Sequence, residues 1–238
     1  MPNHPPTFLI TAGPTVEDID PVRFISNRAT GKLGFAVAQA GLASGHRVIL
    51  IHGPVSDELD AAFPKRMARL TKVPVRGAAE MHRAVRKHVK DAQVVVMSAA
   101  VADYTIEQPS KSKLKKGAGE LLLRLKPTAD ILAELGQLKR TRRPELVLIG
   151  FALETGTAKH SVARALERLR EGYRKLVSKN LDALVLDTPA AMGADEAEFR
   201  VLRSANDPGA KLKLSKNQMA RKLVALGEEL WRERKAAR

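Results

Sequence analysis

The sequence has 238 residues and no cysteine. That excludes disulfide bridges, thiolate metal sites and a nucleophilic protein thiol. Aromatic residues are scarce, at 4%, and are not interleaved with the basic ones. Proteins that stack nucleic-acid bases usually show such interleaving, so nucleic acid is not the expected partner. Long apolar runs are missing too. Segments such as Val94–Ala102 fall far short of the roughly 20 residues that cross a bilayer. Met1–Pro6 has no basic segment leading into an apolar core, so no secretory signal is expected and cytoplasm is the default location. His46, His52, His82, His88 and His160 show no metal-ligand spacing with carboxylates. They are read as structural or surface residues.

Hydrophobic residues make up 44%, enough for a full core, and charged residues 28%. The length suits one domain spanning residues 1–238. The net charge of +15 fits a polyanionic partner such as a nucleotide or phosphorylated substrate. It equally fits a basic surface, because the excess is spread over Lys111–Lys116, Lys139–Arg143, Arg164–Lys179 and Arg232–Arg238.

Apolar, β-branched runs alternate with helical stretches. Phe8–Thr11, Val48–His52, Val94–Ser98, Leu146–Phe151 and Ala183–Leu186 read as buried strands, and Arg69–Val75 as a weaker one. Their near-continuous apolar character predicts a parallel sheet covered on both faces. Lys32–Ala43, Ala78–Lys90 and Asp130–Leu138 have helical spacing, with Thr128 as N-cap of the third. Thr157 is placed to cap a long helix running to Lys179. This alternation predicts an α/β, Rossmann-like, doubly wound and mostly parallel sheet. Lys111–Pro127 reads as a hairpin-like flap. Phe199–Leu202 and Lys211–Leu214, around Asn206-Asp207-Pro208-Gly209, read as a C-terminal β-hairpin, closed by a helix over Ser215–Arg234.

In open α/β sheets ligands sit beyond the carboxyl ends of the strands, and three segments fall there. The first runs from Thr11-Ala12-Gly13-Pro14-Thr15 to Asn27-Arg28-Ala29-Thr30-Gly31-Lys32-Leu33-Gly34. Its glycines would let backbone approach a phosphate at a helix start, although tight packing explains glycines as well. Its spacing matches neither a dinucleotide fingerprint nor a Walker A loop. The second is Ser98–Tyr104, where small residues leave room and Asp103 binds a ligand or caps a turn. The third is the lysine run Lys111–Lys116, a flap that closes on polyphosphate or a solvated charge run.

In combination these segments resemble the phosphopantothenoylcysteine synthetase family, the synthetase half of the bifunctional bacterial coenzyme A biosynthesis flavoprotein. The resemblance rests on Asp20–Asn27 before Thr30-Gly31-Lys32, on Ala99–Tyr104, and on Lys113-Leu114-Lys115-Lys116. Gly150–Thr155 and Lys175 with Lys179–Asp182 follow in family order, so the likeness covers about Phe8 to Asp187. It implies a ligase joining 4′-phosphopantothenate to L-cysteine. A nucleoside triphosphate, CTP or ATP with Mg²⁺, would activate the carboxylate as an acyl-nucleotidyl anhydride, releasing pyrophosphate.

The resemblance also implies roles. Asn27 would hold the acid or its acyl-nucleotide, and Ala99, Ala100 and Asp103 would line the pocket. Lys113 would promote nucleotidyl transfer. Gly31 and Gly34 would admit phosphates, and Phe151, Lys175 and Lys179 would contact the nucleotide. Arg23 would reach into a neighbour's site across a homodimer. Without it, Phe151 reads as core, Glu154 as a helix cap, and Lys175 and Lys179 as a solvated helix face. Departures from the family pattern at Val16, Ala29-Thr30, Pro127–Asp130 and Leu186-Asp187-Thr188 bear on nucleotide preference. No flavin decarboxylase domain precedes the synthetase segment, so decarboxylation is expected on another chain.

Two other classes compete. An NAD(P)-dependent Rossmann-type reductase would need a tight glycine turn after the first strand and an acidic residue closing the second. The chain has Gly13-Pro14 and His52-Gly53-Pro54 there. A non-enzymatic basic module would bind nucleic acid with steep salt dependence and no turnover.

Overall fold

The computed structural model of the chain describes residues 4–63, 67–153, 161–187, 194–204 and 208–237. In chain order the elements are β1 (Thr7–Ala12), β2 (Val16–Asp18), β3 (Phe24–Ser26), α1 (Lys32–Ala43), β4 (Arg47–His52), α2 (Asp57–Ala61) and β5 (Leu70–Pro74). They continue with α3 (Ala78–His88), a short 3₁₀ turn at Val89–Asp91, β6 (Val94–Met97), β7 (Tyr104–Ile106), β8 (Leu125–Pro127) and α4 (Ile131–Thr141). The last are β9 (Val147–Leu153), α5 (Ser161–Ser178), β10 (Ala183–Asp187), β11 (Glu196–Leu202), β12 (Lys211–Ser215) and α6 (Lys216–Ala236).

Eight strands form one sheet in the order β12-β11-β10-β9-β6-β1-β4-β5. β1, β4, β5, β6, β9 and β10 are parallel to one another, while β11 and β12 add an antiparallel edge. Counting only the parallel strands in chain order, the sheet reads third, second, first, fourth, fifth, sixth. That is the Rossmann order, with its switch point between β1 and β6.

Period-two alternation along each strand sends residues to opposite faces. Phe8 and Ile10, Val48 and Leu50, Val94 and Val96 join one core with α1 and α6. Leu9, Ile49, Val95 and Leu148 stand side by side in register and join the other core with α3, α4 and α5. Covering both faces explains why these strands read as unbroken apolar runs.

The expected strands, helices and C-terminal hairpin are present, and local details differ. Thr128 does not cap α4. Asp130 does, accepting from Ala133 N at 3.0 Å. The Thr128 hydroxyl instead donates to Ala102 O at 2.6 Å. The flap closes as a ribbon, but its strands are β7 and β8, which pair Tyr104 with Pro127. The segment between them carries the lysines. Two short elements were not expected: the β2–β3 ribbon inside the long loop, and α2, capped by Ser56. The Thr157 cap and residues Glu154, Thr155, His160, Thr188, Asn206 and Asp207 lie outside the described residues. Among the described residues no helix is long and apolar enough to cross a membrane.

Candidate active site

At the switch point the segments following β1 and β6 stay bonded to each other, Ala100 N donating to Gly13 O and Thr15 N to Ala100 O, and a cleft of about 540 Å³ opens at their carboxyl ends. Two buried threonines set its floor. Thr11 Oγ1 accepts from Ala99 N at 3.2 Å, and Thr15 Oγ1 accepts from Ala102 N at 2.9 Å. Ser98 Oγ returns a hydrogen bond to Thr11 O at 2.6 Å. The small-residue run Ala99–Ala102 is thus held by its backbone, and no large side chain fills the space above it.

Asn27 arrives from the far end of the long loop. Its Nδ2 donates to Ala100 O at 2.9 Å, which leaves the side-chain amide at the rim of the cleft. Two glycines let α1 come close. Gly31 has φ +80°, and a Cβ there would lie 2.7 Å from Val55 Cγ1. Gly34 is buried, and a Cβ there would lie 2.5 Å from Ala12 Cβ. Gly34 therefore serves helix-on-strand packing, while Gly31 gives the loop its left-handed turn into the helix.

The opposite wall comes from β9, α4 and α5. Phe151 is half-buried and lines the cleft with Lys175 and Lys179. Lys179 Nζ lies 2.7 Å from Asp130 Oδ2. Burial alone would raise the Asp130 carboxyl, but the Lys179 ammonium and the Ala133 amide hold it below the ordinary carboxylate range. Asp103, Lys32, Asp187 and Lys216 also line the cleft. Among the described residues no group of three His, Asp or Glu could hold a metal.

The flap is anchored from below by Asp20, whose side chain has 0% exposure. Its carboxylate accepts from Val22 N and Arg23 N, both at 2.8 Å, from Leu114 N at 3.1 Å, and from the Arg23 guanidinium at 2.5 Å. Arg23 Nη2 also donates to Leu114 O at 2.7 Å, and Ser110 N to Ile19 O at 2.9 Å. The Arg23 guanidinium and the amides hold the Asp20 carboxyl far below the ordinary carboxylate range, despite its burial.

The sequence-derived site residues Asn27, Gly31, Gly34, Ala99, Ala100, Asp103, Phe151, Lys175 and Lys179 all line this one cleft. Arg23 and Lys113 do not. Arg23 is tied to its own chain at Asp20 and Leu114, and Lys113 lies exposed on the flap beside Leu114. Thr11, Thr15 and Lys32 lie within the first candidate segment without being given a role there, and Lys216 lies outside every candidate segment. Threonine in an apolar strand is weak as a signal, and Lys216 lies far from every glycine-marked loop.

The Rossmann strand order and the cleft over its switch point define an α/β protein whose cleft lies where open doubly wound sheets hold their ligands. Residues 5–229 match the family described as DNA/pantothenate metabolism flavoprotein C-terminal domain, and the chain belongs to that family. The coenzyme A biosynthesis bifunctional protein CoaBC of Bacillus subtilis (strain 168) is 45% identical over 186 residues, 78% of this chain and 41% of that protein. A cysteine/cysteine sulfinic acid decarboxylase from an unknown prokaryotic organism is 37% identical over 202 residues, 83% of this chain and 51% of that protein. The chain spans about half the length of such relatives or less. The crystal structure of the C-terminal domain of a coenzyme A biosynthesis bifunctional protein CoaBC superimposes with a TM-score of 0.71 at 29% identity, covering 97% of each chain.

Proposed function

We propose that the protein joins 4′-phosphopantothenate to L-cysteine in coenzyme A biosynthesis, through an acyl-nucleotidyl intermediate made from CTP or ATP. The observation that carries this reading is the convergence of Asn27, Ala99–Asp103, Phe151, Lys175 and Lys179 on one cleft. At about 540 Å³ it falls within the range of small-molecule sites.

A carboxylate is a poor electrophile. Attack of its oxygen on the α-phosphorus of the triphosphate expels pyrophosphate and leaves a mixed anhydride. The cysteine amine then attacks the acyl carbon, the acyl C–O bond breaks, and nucleoside monophosphate departs. The protein must hold two anions together and offset the charge developing on phosphate. In this reading Asn27 orients the acyl group over the Ala100 carbonyl, while Ala99, Ala100 and Asp103 line the acid's pocket. Phe151, Lys175 and Lys179 hold the nucleotide, and Gly31 admits a phosphate to the start of α1. Lys113 acts at the α-phosphate when the flap closes. Arg23 serves a neighbouring subunit of a homodimer as well as its own flap.

Mg²⁺ enters as part of the nucleotide co-substrate. Magnesium carried on phosphates needs only one or two protein carboxylates, and Asp103 and Asp187 line the cleft. The reaction is placed in the cytoplasm. The sheet order is shared with dinucleotide-binding folds, but no acidic residue closes β4 and no tight glycine turn follows β1. A reductase is therefore disfavoured. The decarboxylase activity in one relative's name belongs to a protein about half of which is matched, and it is not carried over.

The test is turnover. With phosphopantothenate, cysteine, Mg²⁺ and either CTP or ATP, pyrophosphate and nucleoside monophosphate should be released together. No release with either nucleotide overturns the reading.

A further inference from the structure

Two lysines in the cleft have no role in the scheme above. Lys32 is the first residue of α1 and Lys216 the first residue of α6, and both line the cleft. The two helices pack against each other, and the two ammonium groups repel one another. Lys32 is half-exposed and lies 3.3 Å from Asp195 Oδ1, which is itself almost fully exposed. Among the described residues no carboxylate comes within ion-pair distance of Lys216.

Lys216 is held at a cost. Burial strips water from its ammonium, and Lys32 adds repulsion. The first turn of α6 contains no acidic residue, so nothing within that turn opposes the positive end of the helix dipole. Asp195 and Asp187 offset this only in part, and the Lys216 ammonium stays below the ordinary lysine range. A lysine kept for solubility would extend into water, and one kept for stability would not sit at a helix start. A multiply charged anion bridging the two ammonium groups removes each of these costs.

The aspartates indicate which anion. Asp187 and Asp195 beside the lysines would repel a bare phosphomonoester. They suit a polyphosphate that brings its own divalent cation, because such a cation accepts a carboxylate as well as phosphate oxygens. We propose that Lys216 and Lys32 bind the magnesium-bearing diphosphate end of the nucleoside triphosphate, the part that leaves as pyrophosphate. This rests on the ligase reading above. The phosphate of phosphopantothenate is the competing source of the same chemistry.

The test uses Lys216→Met, Lys32→Met and Lys216→Arg in the full chain. Each Met variant should raise KM for the nucleotide and the inhibition constant of magnesium pyrophosphate about tenfold, the scale of one charge-assisted hydrogen bond. KM for phosphopantothenate should stay within about twofold, and Lys216→Arg should restore most of the nucleotide affinity. Without ligand, Lys216→Met should melt no lower than the wild type, because the lysine is a cost to the empty fold. Unchanged nucleotide KM, a rise confined to phosphopantothenate, or a destabilised Lys216→Met protein would each overturn the proposal. If the wild type turns over nothing, calorimetry with magnesium pyrophosphate still separates the two questions. Wild-type binding that Lys216→Met loses would uphold this site while the ligase reading fails.

Discussion

The two ends of the parallel strands treat charge in opposite ways. At the amino ends, Asp182 is buried between Lys139 Nζ at 2.7 Å and Arg234 Nη2 at 2.5 Å, and it also accepts from Leu148 N at 2.7 Å. Lys139 donates in addition to Asn180 O, and Arg234 to Pro144 O. Burial pushes the Lys139 ammonium below its ordinary range, and Asp182 opposes that push. Every charge is matched where it stands, and the knot fastens α4, β10 and the end of α6. At the carboxyl ends, Lys216 is half-buried and makes no ion pair among the described residues, and Lys113 is exposed beside Leu114, whose amide donates to Asp20. Charges that hold the fold are neutralised by the fold. At the cleft the counter-charges are themselves exposed, as Asp130 is beside Lys179 and Asp195 beside Lys32.

The largest effect should come from breaking the closed end. Asp182→Ala strands buried Lys139 and Arg234, which should cost about 3–5 kcal/mol by denaturant unfolding. Replacing Asp182 and Lys139 together with apolar residues should recover much of that loss. If Asp182→Ala costs nothing, the knot is not a fastening. At the open end, Lys113→Gln should slow pyrophosphate release about a hundredfold without moving the melting temperature. Asn27→Asp should slow the second step, with acyl-nucleotide accumulating. Normal rates in both variants would remove these residues from the chemistry.

Asp20 joins the two kinds of region, because it is a saturated carboxylate placed at the functional end. Asp20→Asn should release the flap, seen as faster proteolysis over residues 107–124, and lower turnover about tenfold through misplacement of Lys113. A folded-state pKa held below the unfolded value near ~3.9 gives stability that is full above that value and lost as pH falls through the folded one. Flap protection should therefore be constant from neutral to mildly acid pH and fail only below about pH 3.9. Loss of protection near pH 6 would contradict the Asp20 anchor.

The smallest effect belongs to His52, buried edge-on to Phe35 with its Nδ1 beside Gly53 O. Burial lowers its pKa, against the pull of Asp60 and with the repulsion of Lys72. The unfolded chain takes up the proton first, so stability should decline as pH falls below about 6.5. His52→Leu should flatten that decline; an unchanged slope would assign it elsewhere.

Much of this was legible in the sequence. Apolar runs such as Val48–His52 and Val94–Ser98 announce strands because both faces of the sheet are covered. Of the motif Asp20–Asn27 only Asn27 reaches the cleft, whereas the run Ala99–Asp103 lines it throughout. The rest depended on long-range geometry. Asp20 reads as a loop carboxylate until the flap brings the Leu114 amide onto it. Lys216 is one basic residue among many until α6 packs beside α1 and brings it close to Lys32. The β2–β3 ribbon is too short, and too rich in charge, to leave a period. Thr128 has the composition of a cap, but its hydroxyl finds Ala102 O, and Asp130 sits one residue before the helix.

The most direct test of the central claim is the fate of carboxylate oxygen. With phosphopantothenate labelled by ¹⁸O in its carboxylate, attack on the α-phosphorus and later loss of the nucleotide should place one label in the nucleoside monophosphate and none in pyrophosphate. Label in inorganic phosphate, formed with nucleoside diphosphate, would show activation at the γ-phosphorus and contradict the account.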